Sequence, residues 1–313
     1  MKVFLAGATG AVGQRLVPKL VAAGHEVVGT TRAASKLAEL EANGAEGVVV
    51  DGLDRDGVVE AVRKAQPDVI VHQLTALSGS PDYKHFDRYF AATNQLRTVG
   101  TDNLIAGARA AGVPRIVAQS YTGWPNPRSG SWVKTEDDPL DSHPTAVSRE
   151  SLAAIRYVES VVPALDGITG VVLRFGSFYG PGTSLGAGGE IVDLIRARKF
   201  PIVGGGTGVW SFLHIDDAAT ATIAALDHGT AGLYNVVDDD PAPVTQWLPY
   251  LAECLGAKAP MKVPAWLVRP LLGEHTLAAM TSMRGSSNAK AKRELGWIPS
   301  HASWREGFRT ALG

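Results

Sequence analysis

Val3-Phe4-Leu5-Ala6, followed at once by Gly7-Ala8-Thr9-Gly10-Ala11-Val12-Gly13, decides the reading of this chain. The apolar run reads as a buried strand and the glycines as a tight turn. Val12, Leu16 and Leu20 read as the apolar stripe of a helix over 12–23. Glycine belongs in such a turn because the backbone must bend sharply and let a pyrophosphate approach without a Cβ in the way. The free N–H groups at the helix start then point at the phosphates. A Gly-x-x-Gly-x-x-Gly string alone is common. Set between a strand pattern and an amphipathic helix, with Gly24-His25-Glu26-Val27-Val28-Gly29 as the next strand, it specifies a dinucleotide site rather than a structural turn.

Working outward, short apolar runs at 2–6, 25–31, 47–50, 68–74, 115–120 and 169–175 alternate with helical patterns at 12–23, 35–42, 55–65, 87–111 and 146–161. Such alternation predicts an α/β fold, a doubly wound parallel sheet with its ligand crevice at the carboxyl ends of the strands. From Tyr179 glycine and proline become dense, as in Gly180-Pro181-Gly182 and Gly204-Gly205-Gly206. The expected division is a dinucleotide-binding domain over 1–178 and a smaller substrate lobe over 179–313, with return segments near 208–228. A formal net charge of −1 leaves no electrostatic footprint for nucleic acid or an anionic membrane. The single cysteine, Cys254, excludes an intramolecular disulfide and a cysteine-based zinc cluster. No apolar stretch approaches the ~20 residues needed to span a bilayer, so a cytoplasmic protein is expected.

Seven segments in order carry a family resemblance: the Gly7–Gly13 turn, Val49-Val50-Asp51, Asp68-Val69-Ile70-Val71-His72, Gly112-Val113-Pro114-Arg115-Ile116-Val117, Leu173-Arg174-Phe175-Gly176-Ser177-Phe178-Tyr179-Gly180-Pro181-Gly182, Phe212-Leu213-His214-Ile215-Asp216-Asp217 and Leu295-Gly296-Trp297-Ile298-Pro299. The chain resembles the extended short-chain dehydrogenase/reductase superfamily, the NAD-dependent epimerase/dehydratase group, from end to end. The resemblance implies a Rossmann-type sheet and a nicotinamide cofactor. It says far less about the reaction, because one fold hosts many functions.

Enzymes that prefer NAD place an acid at the end of the second strand, where it accepts from the ribose 2′-OH. Here that strand ends Gly29-Thr30-Thr31-Arg32. Arg32 offers a fork of donors suited to a 2′-phosphate, and Lys36 a second charge, which points to NADP over NAD. The alternative is that Arg32 is a solvated loop cation. By resemblance, Thr9, Gly10, Ala11, Val12 and Gly13 cradle the phosphates. Asp51 accepts from the adenine amino group with Gly52 and Leu53 beside the ring, unless it serves only to shape its turn. Gln73, Leu74 and Thr75 line the pyrophosphate and nicotinamide ribose, while His72 reads as a packed strand residue.

The family's catalytic pattern breaks here. The resemblance calls for Tyr-x-x-x-Lys on the helix after the fifth strand, with a Ser or Thr at that strand's end. Aligning Ser148-Arg149 with the usual Ser-Lys puts Thr145 in the tyrosine position and Arg149 in the lysine position. A threonine hydroxyl is a poor proton donor beside a phenol, while Arg149 retains a charge that suits ribose hydroxyls. The fifth strand ends Gln119-Ser120-Tyr121-Thr122-Gly123-Trp124, which places Tyr121 at or next to the usual Ser/Thr position. Tyr121 is thus a candidate acid/base whose pKa a nearby cation would depress, with Ser120 polarising the substrate oxygen. The alternative is that Tyr121 packs or binds substrate.

Nucleotide-sugar enzymes of the family carry an arginine where this chain has Trp210. An indole cannot neutralise a diphosphate, so Trp210, with Trp124 and Phe178, points to a neutral, partly apolar substrate. Arg284 keeps a phosphate contact open, and the same aromatics could instead fill the lobe's core. His214, Asp216 and Asp217 are read as structural, with Asp216 or Asp217 capping the next helix. The expectation is an NADP-dependent oxidoreductase of a small carbonyl or alcohol. Its rivals are an epimerase or dehydratase with an internal redox cycle, and a non-catalytic NAD(P)-binding regulator. In many relatives the helices matching 87–111 and 146–161 form a homodimer face.

Overall fold

Seven short strands lie edge to edge in one parallel sheet, in the order β12-β7-β5-β4-β1-β2-β3. They are β1 (Lys2–Ala6), β2 (Glu26–Thr31), β3 (Glu46–Val49), β4 (Val69–His72), β5 (Arg115–Tyr121), β7 (Thr169–Phe175) and β12 (Gly232–Val236). The computed structural model describes residues 1–77 and 82–312. Alternate side chains leave opposite faces of each strand, and both faces are covered. Val3, Leu5, Val69, Val71 and Val117 pack with α1 (Ala11–Ala22) and α8 (Ile215–Asp227). Phe4, Ala6, Ile70 and Ala118 pack on the other side with α3 (Arg55–Ala65), α5 (Thr101–Ala111) and α6 (Arg149–Val161). The short α2 (Leu37–Ala42) follows β2, and α4 (Phe86–Gln95) precedes α5. Strand order reverses between β1 and β4, so the crevice expected for a ligand opens above their carboxyl ends.

Two departures from the sequence reading have clear causes. β12 joins the sheet beside β7 although Gly232-Leu233-Tyr234-Asn235-Val236 is no continuous apolar run; it is the edge strand, where mixed residues are tolerated. The helix expected over 87–111 is interrupted by a π-helical turn at Leu96–Gly100.

From Tyr179 onward a second core forms around Tyr179, Phe212, Trp247, Trp304 and Phe308. It is tied by small strand pairs: β6 (Val133–Lys134) with β15 (Gly285–Ser286), β8 (Ser177–Tyr179) with β11 (Phe212–His214), β9 (Ile202–Val203) with β14 (Lys262–Val263), and β10 (Val209–Trp210) with β13 (Ala242–Pro243). Around them lie α7 (Glu190–Arg196), α9 (Val244–Cys254), α10 (Ala265–Thr281), α11 (Ala289–Leu295) and α12 (Trp304–Leu312). Among the described residues no helix is long and apolar enough to cross a membrane.

The cap of α8 is not an aspartate. His214 Nδ1 accepts from the Asp216 N–H at 3.2 Å. Asp217, fully buried, instead clamps a distant loop. It accepts from Ser300 N (2.8 Å), Ser300 Oγ (2.5 Å), His301 N (2.9 Å) and His301 Nδ1 (3.1 Å). Those four donors fill the carboxylate, which explains a His214–Asp217–His301 cluster without any metal.

Candidate active site

The phosphate turn is built from contacts that exclude side chains. Gly7 has φ +91°, and a Cβ there would sit 2.6 Å from the Gln73 carbonyl oxygen. A Cβ on Gly13 would lie 2.4 Å from Gly7 O and 2.5 Å from Ala8 O. Gly10 is different: it is exposed, and its Cβ would meet nothing closer than 3.4 Å. Its open side faces outward at the start of α1, which has no side-chain cap and no acid in its first turn. A helix start left uncapped beside an open glycine is what an anionic ligand fills. Ala11 is exposed beside Gly10, and Val12 anchors α1 in the core. The end of β2 holds the turn in place through Gly7 N to Thr30 Oγ1 (3.1 Å) and Thr9 Oγ1 to Thr31 Oγ1 (3.4 Å).

Toward the adenine end, Arg32 is exposed. Lys36, expected as a second cation, has its exposed Nζ paired with Glu39 at 2.8 Å, and Gln14 donates to the same carboxylate at 2.9 Å. Asp51 does shape its turn: Oδ1 accepts from Leu53 N at 3.0 Å. Gly52 is buried against Leu74, its carbonyl accepting from Asn103 Nδ2 at 3.0 Å, while Leu53 is exposed beside Asp51.

At the end of β4 the Gln73 side chain is 4% exposed, and neither its amide nitrogen nor its oxygen has a partner. An orphaned donor and acceptor at this point of the crevice fit a polar cofactor. Leu74 N donates to His72 Nδ1 at 3.2 Å, and Thr75 is half-buried. His72 Nε2 pairs with Thr101 Oγ1 at 3.1 Å, and burial pushes the ring's pKa down to about 4. It is a neutral packing residue.

Tyr121 ends β5 with its hydroxyl 2.9 Å from Ser177 Oγ. Burial raises its pKa, against the pull of the Ser177 hydrogen bond and of the Arg97 charge. The expected depressed phenol is therefore corrected: desolvation outweighs the cation, and the group is protonated at neutral pH. The cation is also not the one expected. Arg149 is exposed on the first turn of α6, whereas the buried face of that helix is Ser151, Leu152, Ile155, Val158 and Glu159. Helical phase turns Arg149 to solvent, and its guanidinium makes no hydrogen bond among the described residues. Thr145 is buried against Ser148, Oγ to Oγ 2.8 Å.

Ser120 is likewise corrected. Successive strand residues face opposite sides, so Ser120 points away from Tyr121 and donates to Glu159 Oε1 at 2.7 Å. Glu159 is also gripped by Arg174 Nε (2.9 Å) and Nη2 (2.6 Å), a buried ion pair that locks α6 to β7.

Beside the Tyr121 end, a cavity of about 20 Å³ is lined by Trp124, Thr145, Ser148, His275 and Met283, among others. Trp124 meets Phe86 edge-on at 5.1 Å and His275 at 5.4 Å, and Phe86 lies 4.0 Å from His275. Trp124 thus lines this small cavity. Phe178 and Trp210 do not: Phe178 packs on Phe175 (5.5 Å) against the sheet. Trp210 sits in the second core against Trp247 (5.0 Å), its Nε1 donating to Ala279 O at 3.0 Å, so it braces α10. Arg97, His275 and Met283 have no part in the sequence reading, and Ser177 stands there only within the segment 173–182, with no role of its own. They come from a π turn, α10, the segment just after it and β8.

His275, like His72, is held neutral by burial, with its pKa near 4. Above pH 6.5 both rings are neutral folded or unfolded. As pH falls from 6.5 toward 4 the unfolded chain takes up protons that the folded chain refuses, so stability declines through that window. Each ring contributes up to about 3 kcal/mol of this loss. Thermal midpoints between pH 7 and pH 4 are expected to fall less steeply in His275→Phe than in wild type; parallel curves would contradict the assignment.

A family model described as the NAD dependent epimerase/dehydratase family matches residues 3–237. The chain is 44% identical over 309 residues to a 3-diazoavenalumate denitrifying reductase from a Streptomyces species, covering 98% of this chain and 99% of that protein. It is 27% identical to a 2-alkyl-3-oxoalkanoate reductase from Stenotrophomonas maltophilia, covering 99% and 98%. The fold is shared with Thermus thermophilus UDP-glucose 4-epimerase in complex with NAD, at TM-score 0.73 and 24% identity over 100% of this chain and 98% of that one. The uncapped phosphate turn, the orphaned Gln73 amide and the family match agree: this chain belongs to the NAD-dependent epimerase/dehydratase family, as an oxidoreductase that works with a nicotinamide cofactor.

Proposed function

We propose that this enzyme reductively removes a diazo group from a small, partly apolar substrate, with NADP(H) as the preferred cofactor. One observation carries the reading: the sequence holds no Tyr-x-x-x-Lys string. None of the seven tyrosines is followed four residues later by lysine, and α6 presents Ser151 and Ile155 to the interior. When bound, the nicotinamide supplies a hydride. A diazonium carbon that gains a hydride and releases dinitrogen, taking the C–N electron pair with it, balances with no proton donated. Such chemistry places no demand on a Tyr-Lys pair, and it matches the activity named for the 44% relative. The protein's part is to orient the acceptor carbon, through Trp124, His275 and Met283, and to keep water out.

A second reading rests on Tyr121. Its hydroxyl, 2.9 Å from Ser177 Oγ at the end of β5, would supply the proton that reduction of a small ketone needs. The test is purified protein with NADPH and two panels, labelled aryl diazonium salts and ketones. Release of labelled dinitrogen supports the first reading. Turnover of ketones alone supports the second. Retained cofactor with no net redox change would point to an epimerase, and binding without turnover to a regulator.

Arg32 is the NADP determinant in this proposal. Arg32→Ala is expected to weaken NADP(H) about 10- to 100-fold, the worth of a charge-assisted pair, and to leave NAD(H) unchanged. Calorimetric affinities that fall equally for both, or for neither, contradict it. The setting proposed is cytoplasmic, and a homodimer through α4, α5 and α6 belongs to the same proposal.

A further inference from the structure

Arg97 is a half-buried cation that forms no salt bridge among the described residues. It lies in the π-helical turn at Leu96–Gly100, a distortion that re-aims side chains and recurs at functional sites. The turn is fixed from below: Thr101 Oγ1 donates to the Arg97 carbonyl at 2.7 Å and meets His72 Nε2 at 3.1 Å. The Arg97 Nε is buried and has no hydrogen-bond partner. Its charge reaches Glu159 and Tyr121. Glu159 attracts it through space but gives it no hydrogen bond, since its carboxylate oxygens are engaged by Arg174 and Ser120. The two other groups that feel its charge, His72 and Tyr121, are uncharged at neutral pH: burial lowers His72 to about 4 and raises Tyr121. Burial lowers Arg97 itself to about 10, so it stays protonated. An unpaired guanidinium costs stability where it is, and that cost is recovered when an anion arrives.

We propose that Arg97 and the Tyr121 hydroxyl together bind an oxyanion of the substrate, a phenolate or enolate oxygen conjugated with the carbon that accepts hydride. The proposal rests on the reductase reading and names its substrate class. With Ser177 donating to the phenol oxygen, one of the two directions the pair allows, the Tyr121 proton is left for the ligand, and the guanidinium, whose charge reaches the phenol, adds charge-assisted donors. Pairing the oxide with Arg97 withdraws electron density from the conjugated system and makes its acceptor carbon more electrophilic. The same pair would hold the alkoxide that forms if a ketone is reduced. The cation thus enters from the α4–α5 turn, where the family resemblance calls for a lysine on α6.

The probe is 4-nitrophenol, titrated by absorbance with the protein, both cofactor-free and with NADP+. Bound nitrophenol is expected to ionise roughly one pH unit or more below the free compound. Arg97→Gln should weaken the phenolate at least about tenfold and abolish that displacement, with neutral benzyl alcohol bound as before. Arg97→Lys should keep part of the displacement. Tyr121→Phe should weaken the phenolate less than Arg97→Gln and keep the preference for the anion. Circular dichroism establishes that each variant is folded. Should Arg97→Gln not fold, Arg97→Lys decides, since an unchanged bound pKa overturns the proposal. Wild-type binding that ignores ionisation, or phenolate affinity untouched in Arg97→Gln, overturns it too. Absent turnover with Arg97-dependent phenolate binding would sink the reductase reading alone.

Discussion

Tyr121→Phe is expected to lower kcat for a ketone substrate by about two to four orders of magnitude, the usual worth of a positioned proton donor. The same variant should reduce a diazonium substrate within about tenfold of wild type, because only a hydrogen bond is lost. The contrast follows from the site. Tyr121 is the hydroxyl at the end of β5, its proton affinity raised by burial, and the residues at the family's Tyr and Lys positions have no comparable chemistry. A ketone has nowhere else to find its proton. A diazonium carbon needs none. Phenylalanine keeps the ring and leaves Ser177 Oγ without its 2.9 Å partner, so the fold and the affinity for NADP(H) should change little. Parallel measurements of kcat and cofactor affinity on both substrate classes read the prediction. A deep loss on both would make Tyr121 essential to hydride transfer itself and remove the argument from the missing pair. A shallow loss on both would remove Tyr121 as the acid for ketones.

The sheet was legible because its signal is local. β1 is built on the apolar run 3–6 and β7 on 171–173, burial on both faces favours such runs, and the bounds in the structure are those of the sequence pattern. β12 escaped because an edge strand tolerates Gly232 and Asn235. The glycine turn was legible for another reason: at Gly7 and Gly13 a Cβ would run into backbone, which only glycine avoids. The reaction end was not legible. Ser120 and Tyr121 are neighbours in sequence, and strand alternation sends one to Glu159 and the other to Ser177. Arg149 occupies the expected alignment column, yet helical phase turns it to solvent. Arg97 looks like an ordinary helical cation until one π turn redirects it. Trp210 offered an indole at a ligand position, but tertiary packing claimed it for the core. Side-chain direction depends on phase and register, and a single residue's shift reverses it.

Gly13→Ala is expected to be the most damaging single methyl in the molecule for cofactor binding, lowering affinity for NADP(H) and NAD(H) alike by about 100-fold or more. The added Cβ would lie 2.4 Å from Gly7 O and 2.5 Å from Ala8 O. Both obstacles are backbone, so no side-chain rotation relieves the clash. Either α1 retreats or the Gly7–Gly10 turn deforms. The turn cannot move freely, since Gly7 is pressed on the Gln73 carbonyl behind it and tied to Thr30. Retreat of α1 withdraws the uncapped N–H groups from the phosphates, and a shift of this size in a preorganised anion site removes charge-assisted hydrogen bonds worth about 1.5–3 kcal/mol each. Stability should fall too, by about 1–3 kcal/mol, the usual cost of overpacking. Gly10→Ala is the control. Its Cβ has 3.4 Å of clearance from the protein, so the fold should survive while the phosphates, which approach from that open side, are pushed away. Loss of affinity with retained stability in Gly10→Ala, and loss of both in Gly13→Ala, would separate the face that meets the ligand from the face that supports it. Equal cofactor affinity in wild type and both variants would mean that this turn holds no dinucleotide.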